Sequence, residues 1–273
     1  MLIGLGSFMF RYSVGTKTFQ PEQPLDAVGL VEKAADLGAD LVQFAENLPL
    51  DDYTQADLLR VKEIASKNNI VLEAGTAGAT KEILLRHLEI AQSLDAKLVR
   101  VAPHAPNLNL TYYEIRDAIV LVLPEYERAG VSIAIENHFT MKSEDLVALL
   151  KEIDHPLVGT CVDTGNSIAQ QEWPLETVKM LAPFAKSLHL KDYDMHMHPE
   201  GIGVNVRGCP LGEGMQDIQE VMDVIQQYCG MNINVVLEQW MPKLENEVDT
   251  LKQEEEWIRT SLANGKKFIV ANV

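Results

Sequence analysis

Cysteine is scarce in this sequence. Cys161, Cys209 and Cys229 are the only three, an odd number with no CxxC spacing. That excludes a disulfide framework and makes the cytoplasm the expected compartment. Positive charge is also in short supply, with 23 Lys and Arg against 40 Asp and Glu and a formal net charge of −17. Such a surface repels phosphate backbones and anionic lipid, so neither nucleic acid nor a membrane surface is an expected partner. A small anionic substrate remains compatible, because a metal and a few cations reverse the field locally. No apolar run approaches the roughly 18 residues of a membrane-spanning helix. The opening MLIGLGSFMFRYS lacks the basic start and long apolar run of a secretory signal. No Gly/Ser/Pro-rich linker interrupts the chain, so residues 1–273 read as one domain.

What is present is an alternation of short β-rich runs with longer helical patterns, repeated eight times. The strands are expected at Leu2–Gly6, Asp40–Phe44, Ile70–Gly75, Lys97–Ala102, Val131–Glu136, Leu157–Asp163, Ser187–Leu190 and Ile233–Glu238. Helices are expected between them, near Leu25–Leu37, Gln55–Lys67, Thr80–Leu94, Thr111–Ala129, Ser143–Ile153, Leu175–Ala182, Met215–Tyr228 and Val248–Ala263. Strand–helix alternation implies a parallel sheet, and eight units in this length imply a closed (β/α)₈ TIM barrel. Gly38 and Gly130 sit where helix C-caps belong, and Ser143 before Glu144 and Asp145 reads as an N-cap. Two long βα loops stand out. Ser7–Pro24 carries Arg11, and Lys191–Gly214 reads as an irregular, functional excursion over the barrel mouth.

In this fold the reacting groups stand where strands end. Glu136 ends strand five in AIENH, Asp163 ends strand six in GTCVDTGNS, His189 closes strand seven in SLHLKDY, and Glu238 ends strand eight in VVLEQW. Any one of these alone reads as a cap or an ion-pair partner. Three carboxylates and an imidazole at the same end of four consecutive strands would repel and protonate without a cation. Oxygen ligands with one imidazole suit one divalent ion, Mn²⁺, Mg²⁺, Co²⁺ or Zn²⁺. His138, Asn166 and Lys191 share the same strand ends and are expected to contact substrate. Arg100 and Glu73 read equally as substrate contacts or as an ion pair inside the barrel. His104, His196 and His198 read as solvated loop residues, and Cys161 as core.

The series ENH, VDTGN, HLKD and LE on strands five to eight resembles the xylose-isomerase-like barrel superfamily of sugar isomerases and epimerases. The likeness runs over nearly the whole chain. It implies that Glu136, Asp163, His189 and Glu238 hold the metal. It also implies that Glu136 and Glu238 are the catalytic acid/base pair, and that the protein is a homo-oligomer acting on a small sugar. One departure matters: the ketose 3-epimerases of that superfamily place an arginine soon after the strand-seven histidine, whereas here the next is Arg207. The segments GLGSFMFRYSVG, VQFAENLPLD and HLKDY…VRGCPLGEG are similar to the 3-oxo-isoapionate decarboxylase branch. Two activities are therefore implied on one site, a ketose isomerase or epimerase and a decarboxylase of a 3-oxo sugar acid. In the second, Arg11, Arg100, Lys191 or Arg207 would hold the departing carboxylate. A barrel nuclease is disfavoured by the acidic charge, and a non-catalytic sugar-binding barrel would not need two glutamates beside the metal.

Overall fold

Eight parallel strands close on themselves in the computed structural model, which describes residues 1–270. They are β1 (Ile3–Gly6), β2 (Leu41–Gln43), β3 (Val71–Ala77), β4 (Leu98–Ala102), β5 (Ser132–Glu136), β6 (Val158–Asp163), β7 (Ala185–Leu190) and β10 (Asn234–Leu237). Each pairs with its neighbours in chain order, and β10 pairs with β1 to complete the ring. The eight expected strands and the TIM-barrel class are thus observed, with boundaries moved by one or two residues.

The helices form where the sequence supplies both an apolar stripe and a cap. They are α1 (Arg11–Val14), α2 (Ala27–Leu37), α3 (Gln55–Lys67), α4 (Lys81–Leu94), α5 (Tyr112–Ala129), α6 (Ser143–Ile153), α7 (Pro174–Leu181), α8 (Ile218–Cys229) and α9 (Glu247–Val270). Thr54 and Thr111 each complete a reciprocal capping box, with Asp57 and Glu114, satisfying orphan N–H groups at the starts of α3 and α5. Gly38 and Gly130 are left-handed C-caps, as expected. Ser143 is not an N-cap. It is the first residue of α6, and its N–H and hydroxyl both donate to Glu172 from the following βα loop. A neighbouring carboxylate does there what a local hydroxyl was expected to do.

Most of the core lies between the strands and the helix ring, in one cluster that runs from Ile3 to Leu262. Inside the barrel a second, smaller cluster of Leu98, Ala134 and Cys161 forms a dry layer beneath the mouth. Cys161 is therefore core, as expected. The residues two positions further along β4, β5 and β6 are Arg100, Glu136 and Asp163, which face the same side one level higher. No described helix is long and apolar enough to cross a membrane.

The excursion Lys191–Gly214 differs from expectation. It is not irregular but an antiparallel hairpin, β8 (Asp192–Met197) with β9 (Val204–Cys209), paired from Asp192↔Cys209 to Met197↔Val204. Its tip closes with Gly201 and Gly203 at positive φ. The glycines and prolines that read as an irregular loop mark the two ends of this ribbon. The other long loop, Ser7–Pro24, holds a 3₁₀ turn over Ser7–Phe10 followed by α1.

Gly159 in β6 sits at the tightest point of the barrel wall. A Cβ there would lie 2.3 Å from the Phe184 carbonyl oxygen and 2.6 Å from Lys186 Cγ. The β6–β7 register shifts immediately after it, between Thr160 and Cys161. Gly159→Ala is expected to cost about 1–3 kcal/mol through forced backbone displacement. Urea unfolding with an unchanged midpoint would contradict this.

Candidate active site

The strand ends carry side chains inward at staggered heights. Asp163 is level with His189 across the β6–β7 pair, Glu136 is level with Cys161, and Glu238 immediately follows β10. Asp163 is shaped by its own turn. Its Oδ1 accepts from the N–H groups of Gly165 and Asn166, each at 2.8 Å, so Oδ2 is left facing the barrel axis. Asn137 clamps the same residue, donating to its carbonyl and accepting from its N–H. The glycine in VDTGN is needed for close approach, because a Cβ at Gly165 would meet Lys191 Cδ at 3.0 Å and Trp240 at 3.1 Å.

The four residues expected to hold a metal are all buried. His189 Nδ1 lies 3.3 Å from Glu238 Oε1, 3.6 Å from Glu136 Oε2 and 3.8 Å from Asp163 Oδ2. Among the described residues, His189 Nδ1 and Glu238 Oε1 have no hydrogen-bond partner. Asp163 Oδ2 meets the Lys191 ammonium at 2.7 Å as an ion pair but outside hydrogen-bonding geometry. Asp163, His189 and Glu238 each offer a donor atom within 4.8 Å of the others; Glu136, Cys161 and His189 form a second such trio. Both oxygens of Glu136 are engaged. Its Oε1 accepts from Asn166 at 2.7 Å and its Oε2 is bound by Arg100.

Charge sharpens this picture. Arg100 binds Glu136 through Nε and Glu46 through Nη1, and also donates to the Thr76 carbonyl. Lys191 contacts Asp163 and Glu238 at 2.7 and 2.8 Å. Four carboxylates, those of Glu46, Glu136, Asp163 and Glu238, thus face two buried cations, so acid outnumbers base within the cluster. Burial raises the Glu136 carboxyl above the usual range, with Arg100 opposing. Burial acts the same way on Glu238, but Lys191, His189 and Arg100 outweigh it and hold that carboxyl low. Burial lowers His189 and so favours the neutral imidazole that a metal ligand must be. Unpartnered donor atoms, hard oxygens beside one imidazole, and an excess of carboxylates over buried cations all fit a divalent cation.

A cavity of about 240 Å³ opens directly above the cluster. Of the residues expected to contact substrate, Arg11, Arg100, His138, Asn166 and Lys191 line it, while Glu73 and Arg207 do not. Arg207 is on β9 opposite Asp194, in the exposed ribbon. Glu73 lies lower in the barrel, bound to Gln43 and Asn234. It is not the partner of Arg100, whose carboxylates are Glu136 and Glu46. Sequence reasoning missed Glu46, Gln43 and Gln239. Glu46 and Gln43 belong to the shortest barrel strand and the turn after it, where no long apolar run marks the strand end.

Arg11 reaches the mouth because its loop is pinned from behind. Glu254 of α9 accepts from the N–H groups of Tyr12 and Ser13, at 2.6 and 3.0 Å, and from the Ser13 hydroxyl. Tyr12 in turn donates its hydroxyl to the Met241 carbonyl at 2.9 Å. Arg11 itself is exposed and forms no ion pair among the described residues. Trp240 and Phe139, with ring centroids 6.1 Å apart, wall another side of the cavity, and Lys191 Nζ lies 5.1 Å from the Trp240 ring centroid. His104, expected to be solvated, is half-buried and bonded to Thr140 and the Leu110 carbonyl.

Comparison with known proteins agrees with this architecture. A model of the family described as xylose isomerase-like TIM barrel matches residues 31–263. The 3-oxo-isoapionate decarboxylase of Pectobacterium atrosepticum is 29% identical over 262 residues, covering 96% of this chain and 94% of that protein. The structure of D-psicose 3-epimerase with D-tagatose from Clostridium cellulolyticum H10 superposes with a TM-score of 0.74 at 16% identity, covering 98% of this chain and 99% of that one. A xylose isomerase-like TIM barrel protein from Mycobacterium smegmatis in complex with magnesium gives 0.68 at 15% identity, covering 96% and 97%.

Arg100 is the counter-charge for two carboxylates in a region where its side chain is 2% exposed. Arg100→Met is expected to destabilise the apo-protein by about 3–5 kcal/mol, because it strands buried negative charge. A urea midpoint within error of the unsubstituted protein would show that these carboxylates protonate at little cost.

Proposed function

The chain belongs to the xylose isomerase-like TIM barrel family, and from that premise we propose that it is a divalent-metal-dependent enzyme that decarboxylates a 3-oxo sugar acid. The observation that carries this reading is Arg11. A guanidinium with no ion pair among the described residues lines the same cavity as the carboxylate cluster. The cluster repels an anionic substrate, and a guanidinium at the mouth supplies the counter-charge that a sugar acid's carboxylate needs there. The full-length similarity to a 3-oxo-isoapionate decarboxylase supports the same choice.

Glu136, Asp163, His189 and Glu238 would hold Mn²⁺, Mg²⁺, Co²⁺ or Zn²⁺. When bound, the ion supplies positive charge beside the substrate's ketone oxygen. Arg11 binds and orients the carboxylate at the mouth. The bond between the carboxylate carbon and its neighbour breaks, CO₂ departs, and the electron pair moves toward the ketone oxygen. A proton then returns to the carbon that lost CO₂ from Glu136, whose carboxyl group is held above the usual range by burial, while Glu238, held low, stays ionised. Lys191 and Asn166 keep those two carboxyl groups aimed at the cavity, through Glu238 Oε2 at 2.8 Å and Glu136 Oε1 at 2.7 Å. Trp240 and Phe139 limit water access while charge is developing.

A second reading rests on a different observation. Glu136 and Glu238 approach His189 from separate strands, at 3.6 and 3.3 Å. Two carboxylates flanking one bound carbon are what proton removal and return in a ketose epimerase or isomerase require. The two readings share every residue except Arg11.

A panel of 3-oxo sugar acids and neutral ketoses in D₂O separates them. CO₂ release from an acid is the expected result; deuterium entering an intact ketose without CO₂ would select the epimerase. Arg11→Met is expected to raise KM for the acid roughly tenfold, as loss of one charge-assisted contact does, with kcat little changed. EDTA is expected to abolish turnover, and Mn²⁺ or Mg²⁺ to restore it. Glu238→Gln should lower kcat by about 10²–10⁴, and an unaltered kcat would remove Glu238 from the chemistry.

A further inference from the structure

Below the cavity a chain of buried polar groups crosses the barrel interior. His189 Nε2 is 2.6 Å from Gln43 Oε1. Gln43 Nε2 donates to Glu73 Oε2 at 2.8 Å, and Asn234 Nδ2 donates to Glu73 Oε1 at 2.8 Å. Gln43 and Glu73 are level across the β2–β3 pair, and each is at most 3% exposed. Neither residue is used by the chemistry above. Both Glu73 oxygens accept from amides, and among the described residues no Lys or Arg pairs with it.

We propose that Glu73 is a positioning residue that sets the tautomer of His189 through Gln43. The inference rests on the metal-site reading above and adds to it a reason why the imidazole can serve as a ligand. A glutamine amide has two ends of nearly the same shape, one donating and one accepting. Left to itself, Gln43 can turn either end toward His189. A carboxylate at Glu73 only accepts, so it claims the NH₂ end and turns Oε1 toward the imidazole. Oε1 in turn requires a proton on Nε2. Nδ1 then carries a lone pair, and Nδ1 is the atom that faces Asp163, Glu136 and Glu238. With the amide reversed, the proton would sit on Nδ1, pointing into the carboxylates and blocking coordination. Asn234 fixes the far end of the relay by occupying the second carboxylate oxygen. The direction of hydrogen bonding thus runs from one side of the barrel to the other and ends as a free lone pair in the cluster.

The test is the ¹⁵N spectrum of histidine-labelled apo-protein near neutral pH, read alongside a Mn²⁺ binding titration. The unsubstituted protein is expected to show His189 as the Nε2–H tautomer. Glu73→Gln, which nearly preserves shape, should yield a population of the Nδ1–H tautomer and weaken Mn²⁺ binding roughly 10- to 100-fold, as loss of an outer-shell partner does. Adding Gln43→Glu to that variant exchanges the two groups and gives the imidazole N–H a carboxylate directly. This double variant should restore both the tautomer and the affinity, which a residue acting only through packing would not do. An Nδ1–H tautomer in the unsubstituted protein overturns the proposal. So does a Glu73→Gln variant with unchanged tautomer and affinity, or a double variant that recovers neither. If the unsubstituted protein binds no Mn²⁺, the metal reading fails, while the tautomers of the apo-proteins still decide the role of Glu73.

Discussion

Everything at the barrel mouth depends on crowding like charges where water cannot separate them. Glu136, Asp163 and Glu238 are 1%, 0% and 7% exposed, yet they converge on one imidazole. Coulomb repulsion at such distances is several kcal/mol even at a generous effective dielectric. The chain answers with a rigid frame. Arg100 is locked between two carboxylates and a carbonyl, and Lys191 is held over Trp240 between two more acids. These cations reduce the repulsion without cancelling it. The remainder leaves a negative field among the four residues, which is the condition a divalent cation would relieve.

The same frame separates packing from polar groups. Leu98, Ala134 and Cys161 give the barrel interior its apolar packing. Gln43, Glu73 and Asn234 form a hydrogen-bonded set of their own. The carboxylates and the imidazole stand beneath a cavity whose lining includes Arg11, His138 and Trp240. Because alternate residues of each strand face inward, two positions along a strand are enough to pass from packing to chemistry. Ala134 and Glu136, or Cys161 and Asp163, show that step on β5 and β6.

Strand ends that follow long apolar runs were legible in the sequence. AIENH, TCVDTGN and VVLEQW announce themselves because a charged residue after buried neighbours has few structural uses. Glu46 and Gln43 were not legible, since β2 has only three residues and an amide carries no charge to stand out. Arg100 and Glu73 read from sequence as substrate contacts or as an ion pair, and the register decides against the pair. Gly75 is level with Arg100, so Glu73 lies two residues lower and bonds Gln43 and Asn234 instead. The β8–β9 ribbon was hidden by its own punctuation, because Pro199, Gly201 and Gly203 at the tip resemble loop composition more than they resemble a hairpin turn. Ser143 shows the remaining limit. A local motif gives the right helix start, but a distant carboxylate supplies the bond.

Asp192, next to Lys191, accepts N–H bonds from its neighbour Tyr193 and, across the excursion, from Gly212, Gly214 and Gln216. Departure and return of the ribbon are thereby tied into one knot at the rim, and the entropy of closing that loop falls on the knot and hardly on the length of what lies beyond it. The base of the ribbon is fixed by buried Tyr193, Gly208 and Leu211, whereas its tip near residues 201–204 is exposed. The tip can lengthen or shorten without moving Lys191 or the barrel wall, so variation in this excursion is cheap only at its far end.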